Sequence, residues 1–106
     1  MGLLLVESVP RQLAPLLVGH EVSTVPREGW AGLKNGELLR RAGGRFDVFI
    51  TGHRGLQHQQ NIGSIPLGIV VLAAPNNRVE TITAMAGAIL AAIVEILPGR
   101  VVTVTA

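Results

Sequence analysis

Residues 47–61 read DVFITGHRGLQHQQN, and the opening of this stretch decides what kind of sheet the chain builds. Val48-Phe49-Ile50-Thr51 is an apolar run without in-and-out alternation, the pattern of a strand covered on both faces, as in a parallel sheet. Gly52 breaks the run, and His53, Arg54 and His58 follow amid Gln57, Gln59, Gln60 and Asn61.

Outward from it, the same continuous apolar pattern recurs at residues 3–6 and 67–73, and residues 101–104 read as a closing strand. Residues 20–25 are more mixed, which places that strand near an edge, and Pro26 stops it. Helical signals fill the gaps. Ser8 is expected to cap a short helix with Pro10 in its first turn, running through Leu13, Leu16 and Leu17 to Gly19. Asn35 is expected to cap a second helix carrying Glu37, Leu38, Leu39 and Arg41, ended at Gly43-Gly44 by C-cap chemistry. Asn76 or Asn77 is expected to cap a last helix from Val79 to Leu97, terminated by Pro98-Gly99. The alternation predicts an α/β three-layer sandwich, with a mostly parallel sheet of core order 2-1-3-4, a closing strand near the C-terminus and right-handed crossovers.

Composition agrees with one domain over residues 1–106: 48% of the residues are apolar and 15% charged. The absence of cysteine excludes a disulfide framework or thiolate metal site and fits a cytoplasmic protein. The start, MGLLLVESVPRQ, lacks a basic n-region, and Glu7 interrupts it too early for a signal peptide. The apolar stretch of residues 84–94 is shorter than the roughly 20 residues that span a bilayer, so no membrane segment is expected. Nine Lys plus Arg against seven Asp plus Glu leave a net charge of +2, too little for a strong basic field. Arg40, Arg41 and Arg45 form one basic cluster, readable as a phosphate contact or as a solvated helix end.

In an open parallel sheet, ligands bind beyond the strand carboxyl ends where the strand order reverses, here between the first and third strands. Glu7 and Ser8 follow the first strand; Thr51, His53 and Arg54 end or follow the third, and Glu37 is expected to reach the crevice from the side. Asp47 precedes the third strand and belongs at the opposite end of the sheet.

LLLVESVPRQLAPLLVGHEVSTVPREGWAGLKNGELLRRA with FDVFITGHRGLQHQQN resembles the small bacterial PIN-like domain proteins, relatives of the ribonuclease toxins of toxin–antitoxin pairs. The family pattern is an apolar strand ending Asp-Glu, then Leu/Val-Pro, Gly-His-Glu-Val, a helix with an acid, and a strand ending Thr-x-Asp-Arg. The resemblance implies a metal-dependent endoribonuclease in which carboxylates hold Mg²⁺ or Mn²⁺ to activate water at an RNA phosphate. Carried over by position, Glu7 and Glu37 are the implied metal and catalytic acids and His53 stands at the third acid position. Arg54, Ser8 and Thr51 are the implied substrate contacts. The chain departs from the pattern at Val6, where the first carboxylate belongs, at His53, and at Gly55, where a further acid is common. The expected function is thus a PIN-like protein with a degenerate acidic site and weak or no nuclease activity; an active ribonuclease using Glu7 and Glu37 is the alternative. RNA and an antitoxin protein are the implied partners.

His53 and His58 are also readable as zinc ligands, but a zinc site takes three protein ligands and only two lie nearby. Arg54 is readable as a phosphate clamp or as a partner of Glu7 or Glu37. Trp30, the single tryptophan, is readable as a base-stacking platform or as the anchor of its loop. The last helix is apolar nearly all round, which predicts a homodimer covering Ala84, Ala88, Ala91 and Ala92.

Overall fold

The computed structural model describes residues 1–52 and 62–106. Five strands, β1 (Gly2–Leu5), β2 (Glu21–Thr24), β3 (Val48–Thr51), β4 (Gly68–Ala73) and β5 (Val101–Thr105), form one sheet in the order β2-β1-β3-β4-β5. Every pairing is parallel, with Leu5 beside Ile50, Ile50 beside Val70 and Val71 beside Thr103. All four residues of β3 are buried, as its unalternating sequence requires. The mixed strand β2 lies at one edge, as expected.

Alternate residues of the central strands feed two cores. Leu3, Leu5, Ile50, Val70 and Leu72 pack on one face, and Leu4, Phe49, Ile69 and Val71 on the other. A 3-10 helix (Arg11–Leu16) and two α-helices, α2 (Val79–Thr83) and α3 (Ala86–Glu95), cover the first face through Leu13, Ile82, Ile89 and Ile93. The second face is covered by α1 (Asn35–Gly43) through Leu38, Leu39 and Ala42. Trp30 is buried there at 8% exposure and meets the Phe46 ring edge-on at 6.0 Å, so it anchors its loop. This is a three-layer α/β sandwich. No described helix is long and apolar enough to cross a membrane.

Several local expectations are corrected. The first helix is a 3-10 segment that starts after Pro10 without a side-chain cap, so Ser8 caps nothing there. Pro15 lies inside it and has no N–H to return to the Arg11 carbonyl, which an α-turn would need. The N-cap of α1 is Lys34 rather than Asn35. Its C-terminal Gly44 has a right-handed φ of −87°, not the left-handed cap conformation. The neighbouring Gly43 serves packing instead: a Cβ there would lie 3.2 Å from Ile65 Cγ2. The last helix is two helices, with Arg78 as N-cap, and Asn76 Oδ1 accepts the Arg78 N–H at 3.0 Å. At the end of α2, Thr83 Oγ1 donates to the Val79 carbonyl at 2.7 Å, and between the helices the Met85 N–H donates to the Ile82 carbonyl at 3.0 Å, a bond of 3-10 type.

The crossovers are not of uniform hand. The step from β1 to β2 and the step from β4 to β5 run in opposite directions across the sheet, yet both pass over the same face. Two such crossovers must have opposite hands, whereas right-handed winding was expected throughout. α2 and α3 join the 3-10 segment on this face, with Val70 and Leu72 in one cluster with Leu13, Ile82, Ile89 and Ile93.

Candidate functional site

The Val6 N–H donates to the Ile50 carbonyl at 3.1 Å, which carries the β1–β3 pairing one residue past β1. The Val9 N–H returns to the Val6 carbonyl at 3.0 Å, so residues 6–9 make a tight turn that leaves Glu7 and Ser8 exposed above the sheet. Thr51 ends β3 almost fully buried, at 3% exposure. A Cβ on Gly52 would lie 3.7 Å from Ser8 Oγ, which places the two turns side by side.

Three clefts radiate from this point. One of about 250 Å³ opens toward α1 and is lined by Val6, Glu7, Ser8, Val25, Leu33, Asn35, Leu38 and Thr51. A second, of about 230 Å³, opens toward α2 and is lined by Ser8, Val9, Gly52, Leu72, Ala74, Asn76, Asn77 and Ile82. The third, about 290 Å³, lies toward the end of β2, between Val6, Glu7, Val9, Pro10, Arg11, Thr24 and Pro26. Asn77 Nδ2 donates to the Ser8 carbonyl at 3.5 Å, tying the loop before α2 to the β1 turn.

The crevice toward α1 thus brings together Glu7, Ser8 and Thr51, with Val6 in its wall. Glu37 is not among its lining residues. On an α-helix Glu37 stands roughly 200° round from Asn35, so the helix turns Asn35 and Leu38 to the crevice and Glu37 aside. Arg40 Nε donates to Glu37 Oε2 at 2.8 Å, and Arg41 Nη2 lies 3.5 Å from Oε1. The hydrogen bond from Arg40 lowers the Glu37 pKa, with further lowering from the Arg40 and Arg41 charges. An incoming cation would have to displace these arginines. Arg45 pairs with Glu28 at 2.9 Å and lies 5.8 Å from the Trp30 ring centre, so the basic cluster is engaged within the protein.

His53 and Arg54 lie outside the described residues, as do Gly55, His58 and the amide run. Asp47 sits at the far end of the sheet, where Oδ2 accepts the Gly2 N–H at 2.8 Å. Asn35 and Asn77 line these clefts, whereas sequence reasoning read them only as caps. For Asn35 the signal was present, since the start of α1 must lie beside the strand ends it follows.

Among the described residues, Glu7 is the one carboxylate lining the α1 crevice. The Ser8 and Thr51 hydroxyls and the Asn35 amide are the other side-chain oxygens of this crevice, and the Val6 side chain supplies none. A Mg²⁺ ion binds through one or two carboxylates and keeps several waters, so Glu7 would be its single carboxylate ligand among the described residues of the crevice.

No protein-family model, curated protein or solved structure matches the chain. Its functional reading rests on the crevice and on the sequence that forms it.

Proposed function

We propose that the chain is a PIN-like domain related to metal-dependent ribonuclease toxins, whose reduced acidic site leaves weak or no nuclease activity. The carrying observation is Val6 in the crevice wall, where the resembling family places its first carboxylate. The parallel sheet supports the reading, because its order reverses at β1 and β3 beside this crevice. RNA is the ligand of this reading, with Arg54 and the Ser8 and Thr51 hydroxyls as phosphate contacts and His53 at the third acid position. An antitoxin-like protein and a second copy of the chain are its partners, and the cytoplasm its compartment.

One observation favours the alternative of an active Mg²⁺- or Mn²⁺-dependent endoribonuclease: Glu7 lines the clefts on both sides of Val6 and is exposed to solvent. Incubation of single-stranded RNA with the protein and Mn²⁺ decides between the two. Loss of a bridging carboxylate worth about 4 kcal/mol of transition-state stabilisation lowers the rate about a thousandfold. The unaltered chain is expected to show little or no cleavage, and the Val6→Asp, His53→Asp double variant to gain it. Robust cleavage by the unaltered chain, abolished by EDTA and by Glu7→Ala, would overturn the reduced-site reading.

A further inference from the structure

The α3 helix sends Ile89 and Ile93 into the core with no exposed surface, and turns Ala88, Ala91 and Val94 away from it. Val94 is 72% exposed and Leu97, just beyond the helix, 62%. No charged residue occurs between Thr81 and Val94. Ala92, expected on the outer side, packs on the core instead.

Beside α3 lies β5, which among the described residues has β4 as its single neighbour. The Arg100 carbonyl accepts from Ile69 at 2.9 Å and the Ala106 N–H donates to Ala73 at 3.0 Å, so residues 100 and 106 face β4. By the period of two, Val101, Thr103 and Thr105 turn their backbone N–H and C=O groups outward. The strand VVTVT has no proline or charge to protect this edge. The opposite edge, β2, is bordered by Glu21, Arg27, Glu28 and Arg45.

The geometry points to a homodimer in which β5 pairs antiparallel with β5 of a second copy and α3 packs against its mate. A two-fold contact sets each patch against itself, and this patch carries no charge over most of its area to oppose that. The same symmetry runs the two α3 helices antiparallel, and Ala88 and Ala91 let them approach closely. Charge then selects a second copy over an unrelated strand. Glu95 lies on the row of Ala88 and Ala91, at the C-terminal end of its own helix, where a negative charge opposes the macrodipole. Across the two-fold it reaches the start of the partner helix, whose first turn has no acid and no side-chain cap. The same carboxylate becomes favourable there.

This deepens the self-association included in the proposed function, and its readout is independent of RNA cleavage. Sedimentation equilibrium of the full chain at micromolar concentration is expected to give twice the 11.2 kDa chain mass. Thr103→Pro removes an outward N–H while leaving the β4 ladder intact, and Ala91→Arg charges the helix row. Each is expected to give the monomer mass with an unchanged far-UV circular dichroism spectrum, and Glu95→Lys to weaken association several-fold. A monomeric unaltered chain would overturn the proposal and leave the edge to a strand from another protein. A dimer that persists in folded Thr103→Pro would also overturn it.

Discussion

The Glu37 carboxylate is shared by Arg40 and Arg41 on successive positions of one helix turn, and both arginines are at least half exposed. Such pairs add little to stability and are screened by salt. Their contribution nevertheless has a definite pH sense. The folded pKa is lowered, so the contribution is fully present above the ordinary carboxylate range and is lost as pH falls through the lowered value. Denaturant titrations of Glu37→Gln and the unaltered chain should therefore differ slightly near neutral pH, converge in acid, and converge again at high salt. Gly99 is a larger matter. Its φ of +78° lies in the left-handed region, and a Cβ there would lie 3.1 Å from the Gly63 carbonyl oxygen. Gly99→Ala is expected to cost about 1–3 kcal/mol, read as a lower urea midpoint at unchanged slope.

The helices show how far the periodicity of apolar residues reaches. It finds Leu38 and Leu39 of α1 and Ile89 and Ile93 of α3, all core residues, but it also counts Leu16, Val79 and Leu97, which are exposed. It does not find the break at Ala84 and Met85 between α2 and α3, where the Met85 N–H turns to the Ile82 carbonyl. Nor does it fix where a helix begins. Glu37 was expected at the crevice because it lies near the start of α1, and nearness along the chain does not say which way a side chain turns: successive helical residues are rotated by roughly 100°. Two substitutions in α3 test its orientation. Ile89→Ala, which empties a fully buried site, is expected to cost about 2–5 kcal/mol in thermal or urea unfolding. Gly87→Ala meets nothing within 4 Å and has no positive φ to defend, so it should stabilise by about 0.5–1 kcal/mol. A reversed order of these effects would mean that the helix is rotated.

At the scale of the molecule, the strands and their parallel order were legible because β1, β3 and β4 are written as unbroken apolar runs. The difference in hand between the first and last crossovers was not. A stripe of isoleucines states that a helix has a buried side, but it is silent on which face of the sheet that side meets. The site was legible in the same uneven way. Glu7, Ser8 and Thr51 follow from strand ends alone, whereas the Asn77 contact joins residues 69 apart in sequence, a pairing no local pattern encodes. The place of β4 has a consequence for how the chain is made. Its residues GIVVLA emerge from the ribosome before α2, α3 and β5, the elements that cover one of its faces and pair with its far edge. Until those follow, β4 is an uncharged open edge, the kind of transient surface through which nascent chains stick to one another. The closing segment acts as the chaperone of the strand before it, and its loss should cost solubility before it costs secondary structure.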